Sequence, residues 1–166
     1  MSPYKLIIVD SLILGFWNIC VGLSARMLPS RLLSSDKLFL RLLKFERSGQ
    51  VYKKLKINSW KDHLPEAGGW FGGKSKRHLY GWTEAKLKEF VVETRRAELV
   101  HWASLSIMAV FPIWNPFALT SIFFAWSLLA NIPCIMVQRY NRARIYAIID
   151  RRNQKARRRV AASLPP

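Results

Sequence analysis

The chain has 166 residues and a formal net charge of +17, from 27 Lys and Arg against 10 Asp and Glu, yet 51% of it is apolar. Charge and apolarity occupy separate stretches, which excludes intrinsic disorder and argues against a freely soluble domain. Cys20 and Cys134 both lie in apolar stretches without CxxC spacing, so neither a disulfide framework nor a thiolate metal site is indicated.

From Leu6 to Ala25 the only formal charge is Asp10. About 20 apolar residues cross a bilayer, so this stretch predicts one membrane helix. A cleaved signal peptide is the competing reading, because Lys5 precedes the apolar run and Gly22, Ser24 and Ala25 are small. The run is longer than the typical ~7–15 residues of such a leader. Residues 26–98 form a basic loop with 17 cations and 8 anions. Within it Ser35 is placed to cap an amphipathic helix, with Leu38, Phe39, Leu42, Leu43 and Phe45 on one side and Lys37, Arg41, Lys44 and Arg47 on the other. Gly68, Gly69, Gly72 and Gly73, with Trp70 and Phe71, predict a flexible aromatic loop rather than a nucleotide-binding turn.

Thr83 is the predicted N-cap of a helix from Glu84 through Arg96 into the next segment. From Leu99 to Gln138 there are 40 residues without an Asp, Glu, Lys or Arg. That is too long for one crossing and about right for two. Pro112, Asn115 and Pro116 interrupt it, so it reads as a helical hairpin, with one arm over about 100–111 and the other over 117–137. The first arm is short, which leaves a re-entrant or interfacial helix open. The segment from Arg139 onward is a basic tail with 9 cations and one Asp.

The expected architecture is therefore mainly α: an integral membrane protein of about three membrane segments (6–25 and the hairpin 99–138), a partly helical basic loop (26–98) and a basic tail (139–166). Short loops rich in Lys and Arg stay cytoplasmic. The expectation is a multi-pass protein of the cell membrane with its N-terminus outside and its basic loop and C-terminus inside. Trp17, Trp102, Trp114 and Trp126 suit an interfacial aromatic belt. The tail reads as a tether to anionic lipid; no nucleic-acid motif accompanies the charge, and nucleic acid is not an expected partner.

On the helix after Thr83, Leu87, Val91 and Thr94 fall on one stripe, with Glu98 near its centre and His101 beside it, while Arg95 and Arg96 fall on other sides. Glu98 and His101 are three residues apart, so their side chains can meet. Ionisable groups on an apolar face at a membrane surface cost free energy unless paired or facing a polar cavity. One reading is a structural hydrogen bond. The functional reading is a His101 general base oriented by Glu98. A metal site drawn from Glu98, His101, Asp62, His63 and His78 is a third reading, but only the Glu98–His101 spacing is that of helical ligands, and no metal is expected. In the second constellation Asn131 precedes Pro133, and Arg139, Arg142 and Arg144 alternate with Tyr140 and Asn141. Asn131 is placed to satisfy a carbonyl freed by the proline, and the arginines to bind phosphate-bearing groups or to anchor the helix.

FERSGQVYKKLKINSWKDHLP (45–65), ETRRAELVHW (93–102) and ANIPCIMVQRYNRAR (130–144) resemble the glycosyl-4,4'-diaponeurosporenoate acyltransferase family. The resemblance implies transfer of a fatty acyl group to a sugar hydroxyl, the glucose C6 position, of a glycosylated carotenoid or related glycolipid. It brings in Arg96, Glu98, His101 and Trp102 from one block, and Asn131, Arg139, Asn141 and Arg142 from the other. Expected roles are His101 as base, Glu98 as its orienting group, and Arg139 and Arg142 on the donor's phosphates or the oxyanion. Expected partners are an acyl donor (acyl-CoA or an acyl carrier protein), the glycosylated acceptor and membrane lipids, with no cofactor. There is neither a GxSxG elbow nor an HxxxxD motif, so direct attack is expected rather than a Ser acyl-enzyme. A non-catalytic assembly or anchor protein and a metal-dependent membrane hydrolase are the alternatives.

Overall fold

The computed structural model describes residues 2–35, 40–64 and 81–163, and within these it is helical without strands. Among the described residues five α-helices follow one another: α1 (Pro3–Met27), the short α2 (Gln50–Lys54) and α3 (Ile57–Trp60), α4 (Glu84–Ser106) and α5 (Phe117–Ser163). The glycine-rich loop, His78 and residues 36–39 of the expected amphipathic helix lie outside the described residues. The described remainder of that helix, residues 41–49, is turn and irregular chain rather than helix, and Leu40 and Leu42 are buried in the protein.

Among the described residues two helices, α1 and α5, are long and apolar enough to cross a membrane, not three. The expected third membrane helix does not form, because α4 ends at Ser106, only eight residues into the charge-free stretch, and the chain continues as 3₁₀ turns over Ile107–Ala109 and Phe111–Ile113. Pro112 sits in the second of these, where its missing N–H breaks no α-helical bond. The turn between the arms falls where the prolines predicted it. Thr83 caps α4 as expected, accepting from Lys86 N.

The helices pack antiparallel in the order α1, α4, α5. Arg96 on α4 donates to the carbonyls of Ala25 (2.5 Å) and Leu28 (2.7 Å) at the end of α1. Further along, the Trp17 indole donates to Ala103 O at 2.9 Å, and Trp114 donates to the buried Asp10 at 2.9 Å. The outer face of α1 carries Ile8, Leu12, Phe16, Ile19 and Leu23, all exposed, and Phe117, Ile122, Trp126 and Leu129 are exposed on α5. Only 6% of the apolar window of α1 is buried, so this helix is not the core of a soluble fold.

The tail is not a separate segment. α5 continues without a break for 47 residues, through Pro133 and past Arg139 to Ser163, about 70 Å at 1.5 Å per residue. Its part beyond Arg139 packs on the charged half of α4 through Leu87, Phe90, Val91, Ile145 and Ile148, with Trp82, Tyr146 and Ile149 around them. Arg95, expected away from the packed side, is buried here and donates to Leu33 O and Tyr146 Oη, both at 2.7 Å. A second cluster of Tyr52, Ile57, Val137 and Tyr140 seats α2 and α3 against α5. Gly49 enters α2 at φ +69°, with a Tyr140 ring carbon 3.7 Å from where its Cβ would be. The left-handed backbone and this close approach both favour glycine.

Candidate functional site

The charge-free stretch is bounded by Glu98 and Arg139, and the fold brings these two boundary residues together. Arg139 Nη1 donates to Glu98 Oε1 at 2.6 Å, and Arg142 Nη2 to Glu98 Oε2 at 2.6 Å. Glu98 and Arg142 are both 0% exposed. Arg139 also forks onto Glu46, with Nε 2.8 Å from Oε1 and Nη2 2.5 Å from Oε2. Carbonyls from the preceding loop add to the shell, Arg41 O accepting from Arg139 at 2.9 Å and Leu40 O from Arg142 at 2.7 Å, while Arg142 Nε and Nη1 are buried without a hydrogen-bond partner among the described residues. Two carboxylates and two guanidiniums thus balance in charge inside the protein, the condition under which buried charge is tolerated.

Glu46 was not singled out in the sequence, although it lies in the first block of the family resemblance. It also accepts from Tyr52 Oη at 2.5 Å and from Leu43 N at 2.6 Å. Burial of Glu46 opposes its ionisation, but the hydrogen bonds from Arg139, Tyr52 and Leu43 outweigh burial and hold its carboxyl below the ordinary value of 4.5. Burial and the bond to Glu46 push the Tyr52 hydroxyl far above the usual tyrosine range, so it serves as a fixed donor.

Glu98 does not orient His101. Its hydrogen-bond partners are Arg139, Arg142 and, at 3.4 Å, the Trp102 indole. The imidazole meets Asn131 on α5 instead, Nδ1 lying 2.9 Å from Oδ1. The reason is local: Asn131 Nδ2 donates to Ser127 O at 2.9 Å, which fixes the amide with its oxygen toward α4. Against that acceptor Nδ1 carries the proton, and in the neutral ring the lone pair resides on Nε2. The amide of Asn131, expected to serve a carbonyl freed by Pro133, serves that of Ser127, one turn earlier.

The other expected residues divide by position. Arg96 donates into the carbonyl end of α1, where a cation also suits the helix dipole. Trp102 is 37% exposed beside Glu98. Asn141 is buried on α5 next to Arg142. Among the described residues no three His, Cys, Asp or Glu side chains are placed to hold a metal ion.

The family model described as glycosyl-4,4'-diaponeurosporenoate acyltransferase matches residues 35–151, a span that holds the whole cluster from Glu46 to Arg142. The chain belongs to this family. It is an acyltransferase. A relative from Staphylococcus haemolyticus carrying the family's name is 31% identical over 172 residues, covering 99% of this chain and all of its own. Relatives of the same name from Staphylococcus aureus strains MRSA252 and USA300 are 27% and 28% identical, each covering 77% of this chain and 80% of their own. No solved structure matches. Within this acyltransferase family chain, the matched span ends on α5 at Arg151, before most of the arginine-rich end of that helix.

Proposed function

We propose that the protein transfers a fatty acyl group from a thioester donor to a sugar hydroxyl, the glucose C6 position, of a glycosylated carotenoid or related glycolipid. The carrying observation is the His101–Asn131 contact, a tautomer-fixed imidazole one helical turn from a charge-balanced cluster at the end of the apolar stretch. In this reading His101 Nε2 takes the proton of the sugar hydroxyl as its oxygen attacks the thioester carbonyl. The carbon–sulfur bond breaks, and the proton passes to the departing thiolate. Asn131 and the Glu46–Arg139–Glu98–Arg142 cluster are positioning groups. Trp102, exposed beside the cluster, offers an aromatic face to the sugar. Arg139 is committed to Glu46 and Glu98, and Arg142, paired with Glu98 through Nη2, is 0% exposed, so the reading gives them the task of holding α4 to α5 rather than gripping donor phosphates.

The membrane arrangement is part of the proposal. α1 and the first 22 residues of α5 cross the cell membrane, the latter spanning about 33 Å. Between them the end of α4 and its 3₁₀ turns carry the chain back to the outer side, from which α5 returns it to the cytoplasm. The excess of Lys and Arg in the loop after α1 and on the far part of α5 supports a cytoplasmic side for both, with the N-terminus outside. Both substrates are amphiphiles, and a site at the membrane surface lets their chains stay in lipid while their polar ends meet.

The test is an ester-forming assay on purified protein with an acyl thioester and the glycosylated carotenoid. The His101→Ala variant, inserted and folded as the wild type, loses product by at least about 10²-fold. An unimpaired variant refutes the base. Absence of product from the wild type favours an assembly role, in which Glu98 and His101 only pack helices together.

A further inference from the structure

The far end of α5 carries six cations and no anion from Arg151 to Arg159. At 100° per residue Arg151, Lys155 and Arg158 fall within about 60° of one another, with Arg159 on their flank and Arg157 on the opposite side. These three and Gln154 line a shallow exposed groove. Arg152 turns aside and donates to Trp82 O at 2.7 Å, which fixes this part of the helix against the start of α4.

The height of this face above the membrane decides what it meets. Arg139 marks the end of the charge-free stretch, and from there Arg151 lies about 18 Å, Lys155 about 24 Å and Arg158 about 28 Å along the axis. The interfacial layer takes up about 5–8 Å of that. A tilt of about 20° removes little more. The remaining separation exceeds the Debye length of about 8 Å at physiological salt, so anionic lipid attracts these cations only weakly. A frayed tail could fold back to the surface, but this one is continuous helix, braced as far as Arg152 by Ile145, Ile148 and Ile149 and by the bond to Trp82 O, and running on as exposed helix beyond.

We infer that the face formed by Arg151, Lys155 and Arg158 docks the acyl donor in the form of an acidic acyl carrier protein; this rests on the acyl-transfer reading above. A rigid post of one charge sign, standing in the aqueous phase on the side where α4 and α5 lead into the His101 site, complements a soluble acidic protein that brings the acyl group as a thioester. Exposed charges of this kind speed encounter and set partner choice, and their effect falls with ionic strength.

The experiment uses the full chain in nanodiscs of phosphatidylcholine alone or with phosphatidylglycerol. Binding of a fluorescent acyl carrier protein loaded with a fatty acyl thioester is measured for the wild type, for Arg151→Glu/Lys155→Glu/Arg158→Glu, for the same positions changed to Gln, and for Arg157→Glu. The expected result is an affinity about tenfold or more weaker in the triple Glu variant, a smaller loss in the Gln variant, little change in Arg157→Glu, and the same order in both lipids. In the ester assay, the ratio of the rate with carrier-bound donor to that with the uncharged N-acetylcysteamine thioester falls about tenfold in the triple Glu variant. A wild type that does not bind the carrier overturns the inference, as does an unchanged ratio or a loss confined to anionic nanodiscs, which would assign the face to lipid. Ester formation from the small thioester without carrier binding overturns the docking face alone. Carrier binding without ester from any donor overturns the acyl-transfer reading and leaves the docking face standing.

Discussion

Replacing Glu98 by Gln tests the charge-balanced cluster most directly. The substitution keeps the side-chain volume and removes one of two carboxylates that face two buried guanidiniums. Arg139 retains both hydrogen bonds to Glu46, whereas Arg142, fully buried, has Glu98 as its only carboxylate among the described residues and keeps Leu40 O. The variant therefore leaves one buried charge without a counter-charge, which costs about 3–5 kcal/mol. For a chain of this size each kcal/mol moves Tm by about 2–4 °C, so thermal unfolding of the detergent-solubilised protein should drop by about 6–20 °C. Glu46→Gln should cost less, because Arg139 still holds Glu98. The double variant Glu98→Gln/Arg142→Met removes the stranded cation as well and should recover part of the loss. A Glu98→Gln variant within about 2 °C of the wild type, or a double variant less stable than the sum of its single changes, refutes the reasoning.

Two further outcomes follow from the same site. Asn131→Ala should leave the protein folded but lower the ester-forming rate about tenfold, because Nδ1 loses the acceptor that sets the tautomer; the check is kcat against KM, with kcat moving and the donor KM unchanged. The depressed Glu46 carboxyl gives stability that is present above about pH 4.5 and is lost as pH falls toward and through its folded value. Tm measured from pH 7 down to pH 3.5 should fall more steeply below pH 4.5 in the wild type than in Glu46→Gln, and parallel curves would refute this assignment.

Several features were readable from residue pattern because they are local. Thr83 announced the start of α4, the prolines announced the turn, and the helical period placed Glu98 on the packed face. The partner of Glu98 was not readable, because Arg139 lies 41 positions away and only the antiparallel packing of α4 on α5 brings it in. The three-residue spacing to His101 was permissive rather than decisive: a carboxylate between two guanidiniums is better satisfied than one beside a neutral imidazole. Arg95 was misplaced for a related reason, since the loop after α1 covers a side of α4 that no periodicity marks as buried. The membrane segments were over-counted because absence of charge was read as helix, while the first arm ends its helix at Ser106. Pro133 did not divide α5, as a single proline removes one bond from a long ladder.

The pairing of Glu98 with Arg139 and Arg142 also fixes how far α4 is advanced along α5. Apolar surfaces of two long helices match nearly as well after a slip of one turn, about 5.4 Å. Contacts of 2.6 Å do not survive such a slip, and each misaligned state leaves ionised groups stranded among apolar side chains. The cluster therefore sets the register of the hairpin. With it comes the level of His101 relative to Asn131, so one polar lock also sets the height at which the imidazole meets its amide partner.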